Sequence, residues 1–213
     1  MFIRQLLFVL VGGLLVAPAA QSASPARIDV TARLYNTAQV PSATTHAALV
    51  IATRTLVASG VDVIWRSCDA ADSCALVPAP GELIVRLVPS RDETQGVAPF
   101  VLGEAAIDTG AGAGVLATIY ADRVERMAGL SQTDAVLLLG RTMAHELGHL
   151  LMATNAHSAS GLMRARWTPS DLRRNQAADW MLTREDVNSI RRRLQGTTAA
   201  ISAPPPFPLP WPR

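Results

Sequence analysis

The sequence predicts one α/β (α+β) domain, a twisted mixed sheet packed on a backing helix and on a second, buried helix. Two observations carry that expectation. Short apolar or alternating runs, bounded by Gly, Pro and polar clusters, recur up to Val124 with one helical stretch among them. From Ser131 to Met152 the chain is then apolar at nearly every helical angle, a pattern that belongs to a helix surrounded by protein.

The elements follow in order. Arg27 to Tyr35 alternates Ile28, Val30 and Ala32 with polar neighbours and reads as a strand. Pro41 to Ser59 reads as a helix, with Pro41 at its start, Ala48, Ile51, Ala52, Thr55 and Leu56 along one side, and Gly60 as the stop. Val61 to Arg66 is a second strand. Leu83 to Val88 is a third, apolar enough for the middle of a sheet. Residues 90–113 are rich in Gly and Ala and read as loop, with a short extended piece at Phe100 to Leu102. Val115 to Val124, containing Tyr120, is a further strand. Ser131 opens the main helix with Asp134 as its capping partner. Leu138, Thr142, His145, His149 and Met152 form one stripe along it. Thr183 opens a last helix, with Asp186 as its capping partner, Val187, Ile190 and Leu194 as its buried stripe, and Gly196 as its end. The tail from Thr197 to Arg213 is Pro-rich and aperiodic, which reads as disordered or polyproline II, so the folded domain spans 24–196.

Composition agrees. With 213 residues, 49% of them apolar and 17% charged, the chain can bury a core. A net charge of +2 gives no basis for nucleic-acid binding, and the basic run Arg191 to Arg193 sits on a solvated helix face. All 19 basic residues are Arg, which points to a GC-rich bacterial genome. Residues 1–23 read as a signal peptide: Arg4 supplies the positive start, Leu6 to Val16 the apolar stretch, and Ala17-Pro18-Ala19 or Gln21-Ser22-Ala23 the cleavage site. The apolar stretch is shorter than the roughly 20 residues a bilayer span requires, so export with cleavage is favoured over an anchor. Secretion or a periplasmic, cell-envelope location follows. Cys68 and Cys74, the two cysteines, then read as a disulfide.

The chemistry lies in His145-Glu146-Leu147-Gly148-His149, followed by His157. Residues four apart share a helix face, so both imidazoles of the first five residues can reach one ion. Zinc takes such nitrogen donors at about 2.0–2.1 Å, and a catalytic site keeps one position for water. Glu146, beside the first histidine, can then take a proton from that water. A third ligand must come from beyond the helix. His157 is the first candidate, with Asn155, otherwise a good helix stop, or a downstream acid such as Glu185 as the alternatives. Trp167 and Trp180 read as packing residues and His46 as a surface histidine.

HELGH, the following His157 and the stretch Ser160-Gly161-Leu162-Met163 resemble the metzincin metallopeptidases, whose pattern is H-E-x-x-H-x-x-G-x-x-H followed by a Met-turn. The resemblance covers residues 145–163. It implies a zincin-like fold, Zn2+ held by His145, His149 and His157, Glu146 as general base, and Met163 as a hydrophobic floor. It also implies that an edge strand of the sheet binds peptide in extended form, for which Val115 to Val124 is the candidate. The chain departs from the pattern in three places. Met152 stands at the family's glycine, Asn155 at its third histidine, and no tyrosine follows the Met-turn, where Arg164 and Arg166 stand instead. These arginines read as surface or ion-pair residues, with oxyanion stabilisation as the alternative. The expected function is an exported zinc metalloendopeptidase, a monomer acting on peptide or protein substrates, without nucleic acid and without a membrane span once the signal is removed. The alternatives are a non-catalytic zinc-binding envelope or interaction protein, and a hydrolase of a non-peptide amide such as a cell-wall bond.

Overall fold

A computed structural model describes residues 27–202 except 58, 70–73, 75–76, 91–100, 109 and 111–112. The expected signal segment, the end of the tail and Phe100 lie outside the described residues. Strand β1 (Ile28–Asn36) is followed by helix α1 (Ser42–Val57), strands β2 (Val61–Ser67), β3 (Leu83–Val88), β4 (Gly103–Asp108) and β5 (Ala113–Tyr120), and helices α2 (Ala121–Ser131), α3 (Ala135–Met152) and α4 (Pro169–Arg174). A 3-10 turn at Ala177–Trp180 leads to α5 (Arg184–Ser202).

The strands form one mixed sheet in the order β2-β1-β3-β5-β4. Helix α1 returns the chain so that β2 pairs in parallel with β1, as a crossover requires. β3 pairs in parallel with β1 and β5, and β4 runs antiparallel to β5. Val30, Ala32 and Leu34 of β1, Val85 and Leu87 of β3, and Ala117 and Ile119 of β5 are all buried in one core with the inner residues of α1 and α3. The two helices touch at backbone distance. A Cβ on Gly140 would lie 2.6 Å from the carbonyl oxygen of Ala48, so a larger residue there would force α1 and α3 apart. Residues Leu138 to Leu151 are buried without interruption, as the sequence requires of α3.

The structure departs from the sequence reading at the edges. The segment read as loop contains β4, whose alternating burial is shallow because its residues are small. The strand expected to reach Val124 stops at Tyr120, and α2 begins there, burying Val124, Met127 and Ala128. Since β4 lies outside it, the Val115 to Val124 segment is an interior strand rather than an edge. Ser131 closes α2, its hydroxyl donating back to the Met127 carbonyl, and Asp134 is the true cap of α3, accepting from the Leu137 amide. Ala153, not Asn155, ends α3, at φ 51° and with its N–H turned back to the His149 and Leu150 carbonyls. α5 continues through Gly196 to Ser202, into the segment read as tail, because a lone glycine weakens a helix by only about 1 kcal/mol.

Cys68 and Cys74 are joined in a disulfide, with Cα atoms 5.4 Å apart. The Cys68 amide donates to the Leu34 carbonyl, fixing this loop to the end of β1. Arg33 donates to the buried Glu82 carboxylate at 2.7 Å, and Glu82 accepts the Ala79 amide at 2.8 Å.

Helix α4 opens on a capping box formed by Thr168 and Asp171. The Thr168 hydroxyl and amide, then the Arg164 and Arg174 guanidinium groups, hold the Asp171 carboxyl down at about 2. A carboxyl depressed on folding stabilises the protein above its unfolded value of about 4, and that contribution disappears as pH falls through the folded value. The thermal midpoint should therefore fall more steeply between pH 4 and pH 2 in the parent protein than in Asp171→Asn. Parallel melting curves, followed by circular dichroism, would remove Asp171 from the acid response.

Candidate metal centre

The cap at Asp134 and the apolar surroundings make α3 continuous through His145, Glu146 and His149. All three are buried, at 7%, 5% and 4% exposure, so their orientation is set by packing rather than by solvent. His145 Nδ1 lies 2.8 Å from the Leu162 carbonyl oxygen, and His149 Nδ1 lies 2.8 Å from that of Thr154. A carbonyl only accepts, so each ring carries its proton on Nδ1 and leaves Nε2 with a lone pair. The two Nε2 atoms face each other at 3.1 Å. Facing lone pairs repel unless an electropositive centre lies between them. Two nitrogens at about 2.0–2.1 Å from a tetrahedral zinc would be about 3.3–3.4 Å apart, close to the separation found.

His157 completes the cluster. It lies in the segment after α3, with its ring centroid 4.7 Å from that of His149 and 5.5 Å from that of His145. One ligand atom from each of the three histidines falls within 4.8 Å of the others, and among the described residues theirs is the one such group of His, Cys, Asp or Glu. Glu185, an alternative third ligand, is exposed on α5 and outside that group. Burial pushes the His145 imidazole down to about 3 and lowers His149 and His157 as well. At neutral pH all three are neutral, the form that binds a metal. Three neutral imidazoles, two of them fixed with lone pairs converging, are a donor set that fits a divalent cation such as zinc.

Gly148 and Met163 explain how the turn after the helix reaches back beneath it. A Cβ on Gly148 would come 2.6 Å from Met163 Sδ, so only glycine leaves room for that side chain. Met163 is fully buried. The turn is closed by the Ser158 amide donating to the Met163 carbonyl and the Leu162 amide donating to that of Met181. Gly161 has φ 75°, a conformation in which side chains are strained. The same turn thus places Met163 under α3 and supplies the carbonyl that orients His145.

Several neighbours escaped the sequence reading. Gly103, the first residue of β4, lies against the Glu146 carboxylate: a Cβ there would be 2.9 Å from Oε1. An isolated glycine before an alternating stretch is the signal of such a close approach. Burial, with a smaller contribution from Glu104, pushes the Glu146 carboxyl up to about 8. Trp167 stands edge-on to His145 at 5.3 Å and to Trp180 at the same distance, and the Arg141 guanidinium covers Trp180 at 3.8 Å. The tryptophans are packing residues, as expected, but one of them packs on the His145 imidazole. Arg164 lies 3.6 Å from Asp171 and 3.8 Å from Asp179, the ion-pair reading of the two offered by the sequence. Arg166 is exposed.

No protein-family model matches the sequence, and no curated protein matches it. Among solved structures the chain is similar to the crystal structure of metalloproteinase-II from Bacteroides fragilis, at 15% identity and a TM-score of 0.48 over 78% of this chain and 52% of that one. This chain spans about half the length of that protein.

Proposed function

We propose that the protein is an exported zinc-dependent peptidase. The observation that carries this reading is the pair of neutral imidazoles with Nε2 atoms 3.1 Å apart, with His157 beside them and Glu146 between them in sequence. Zinc, when bound, would polarise a carbonyl and acidify water. Among the described residues the chain supplies three imidazoles, whereas structural zinc sites close with four protein ligands. Glu146 is the general base: it stands next to the first ligand on α3, and a bound cation, by favouring its ionised form, would let the carboxylate take a proton from water and return it to the leaving amine.

The substrate would lie along β4. The Tyr120 amide donates to the Leu102 carbonyl, which sets the alternation of the antiparallel ladder. Gly103 and Ala105 accordingly turn their backbone groups away from β5, toward the side where an extended peptide can add as a further strand. Gly103 therefore meets both the general base and the peptide. Gly103→Ala would displace the Glu146 carboxylate, and a misplacement of about 1 Å can lower turnover about 10²-fold. That loss should leave zinc stoichiometry unchanged; full turnover in the variant would refute the contact.

The disulfide fits an oxidising, extracytoplasmic location. No helix among the described residues is long and apolar enough to cross a membrane. The deciding experiment is a proteome-derived peptide cleavage assay with and without zinc chelation, with Glu146→Gln as the control. Zinc bound without any zinc-dependent cleavage would leave the non-catalytic reading in place of this one.

A further inference from the structure

The three histidines are not held alike. His145 and His149 are each tethered through Nδ1 to a backbone carbonyl. The His157 ring has no hydrogen-bond partner among the described residues, and the residue is exposed even though its ring faces the two imidazoles of α3. Its place is set by the backbone around it. That backbone is fixed at the next residue, where Ser158 makes two bonds: its amide donates to the Met163 carbonyl at 2.9 Å and its hydroxyl to Asp186 Oδ1 at 2.6 Å.

Asp186 belongs to a distant element. It is the capping-box carboxylate of α5, where Oδ2 accepts from the Thr183 amide at 2.8 Å and from the Thr183 hydroxyl at 2.7 Å. Closing that box takes a single oxygen. Oδ1 reaches instead across 28 positions of sequence to Ser158. The residue is 4% exposed, so this second bond is made inside the protein and not across solvent.

We propose that Asp186, acting through Ser158, is a positioning residue for the third metal ligand, an inference that rests on the reading of His145, His149 and His157 as a zinc site. The cap of α5 and the placement of His157 are then one device. A carboxylate with both oxygens committed fixes the Ser158 hydroxyl, and with it the backbone that aims the imidazole one residue earlier. Groups that orient a ligand in this way typically contribute about 10–100-fold to metal affinity.

The test is zinc affinity of the full chain, measured with Zn2+ alone in competition with a chromophoric chelator. Ser158→Ala removes the link and leaves the α5 cap intact. It should weaken zinc about 10–100-fold, while the metal-free protein stays folded and melts somewhat lower because Asp186 Oδ1 loses its buried donor. Ser158→Thr, which keeps the hydroxyl, should restore affinity. In an Asp186→Ala background, where no side chain is left to meet Ser158, the Ser158→Ala change should add nothing further. Equal zinc affinity in Ser158→Ala and the parent would overturn the positioning role and leave the zinc site standing, and so would equal losses in the Ala and Thr variants. A parent protein that binds no zinc would overturn both.

Discussion

Glu146→Gln is expected to bind zinc as the parent does and to lose hydrolysis by about 10²–10⁴-fold, the range that a positioned general base contributes. Glutamine has the shape of the glutamic acid it replaces, so the narrow space between α3 and Gly103 is filled as before. What is removed is the capacity to take and return a proton. The loss should fall on kcat with KM little changed, because the carboxylate acts in the transition state rather than in holding peptide. Turnover equal to the parent's would strip Glu146 of its role, and lost zinc would mean the side chain is structural instead.

His145→Ala should have the larger effect on the metal. Zinc content should fall from about one ion per chain to background, since two donors rarely hold the ion and this ring is one of the pair oriented inside the protein. The fold should survive with reduced stability. Removing the imidazole leaves the Leu162 carbonyl without its donor, which costs about 1–3 kcal/mol, and strips the edge of Trp167 of its neighbour. Circular dichroism separates the two consequences: helical signal retained with zinc absent confirms the ligand, and zinc retained refutes it. The same affinity measurement on His157→Ala and Asn155→Ala identifies the third donor.

What the sequence made legible was whatever periodicity and spacing encode. The core strands announce themselves because Val85, Leu87, Ala117 and Ile119 must avoid water, and α3 because it is apolar on all sides. His145 and His149 follow from helix geometry alone. The sequence was silent where small residues and long-range bonds decide. β4 carries Gly, Ala and a few charges, too little apolar surface to register as a strand, and its place at the edge comes from pairing with β5. α2 starts without a side-chain cap, so nothing local marks where β5 stops. The start of α3 is hidden in the sequence because Ser131 and Asp134 have capping spacing, yet Ser131 bonds backward into the preceding helix and Asp134 is the cap. The link from Asp186 to Ser158 joins residues that no local pattern relates.

The unbroken burial of α3 also shapes how this chain can evolve. A change at His145, Glu146 or His149 disturbs the interior of the domain as well as its chemistry, so those positions answer to two constraints at once. Variation is left to the rim, to outward-facing positions such as the exposed Ala106 and Asp108 of β4 rather than Gly103, where a side chain can be exchanged without touching the hub.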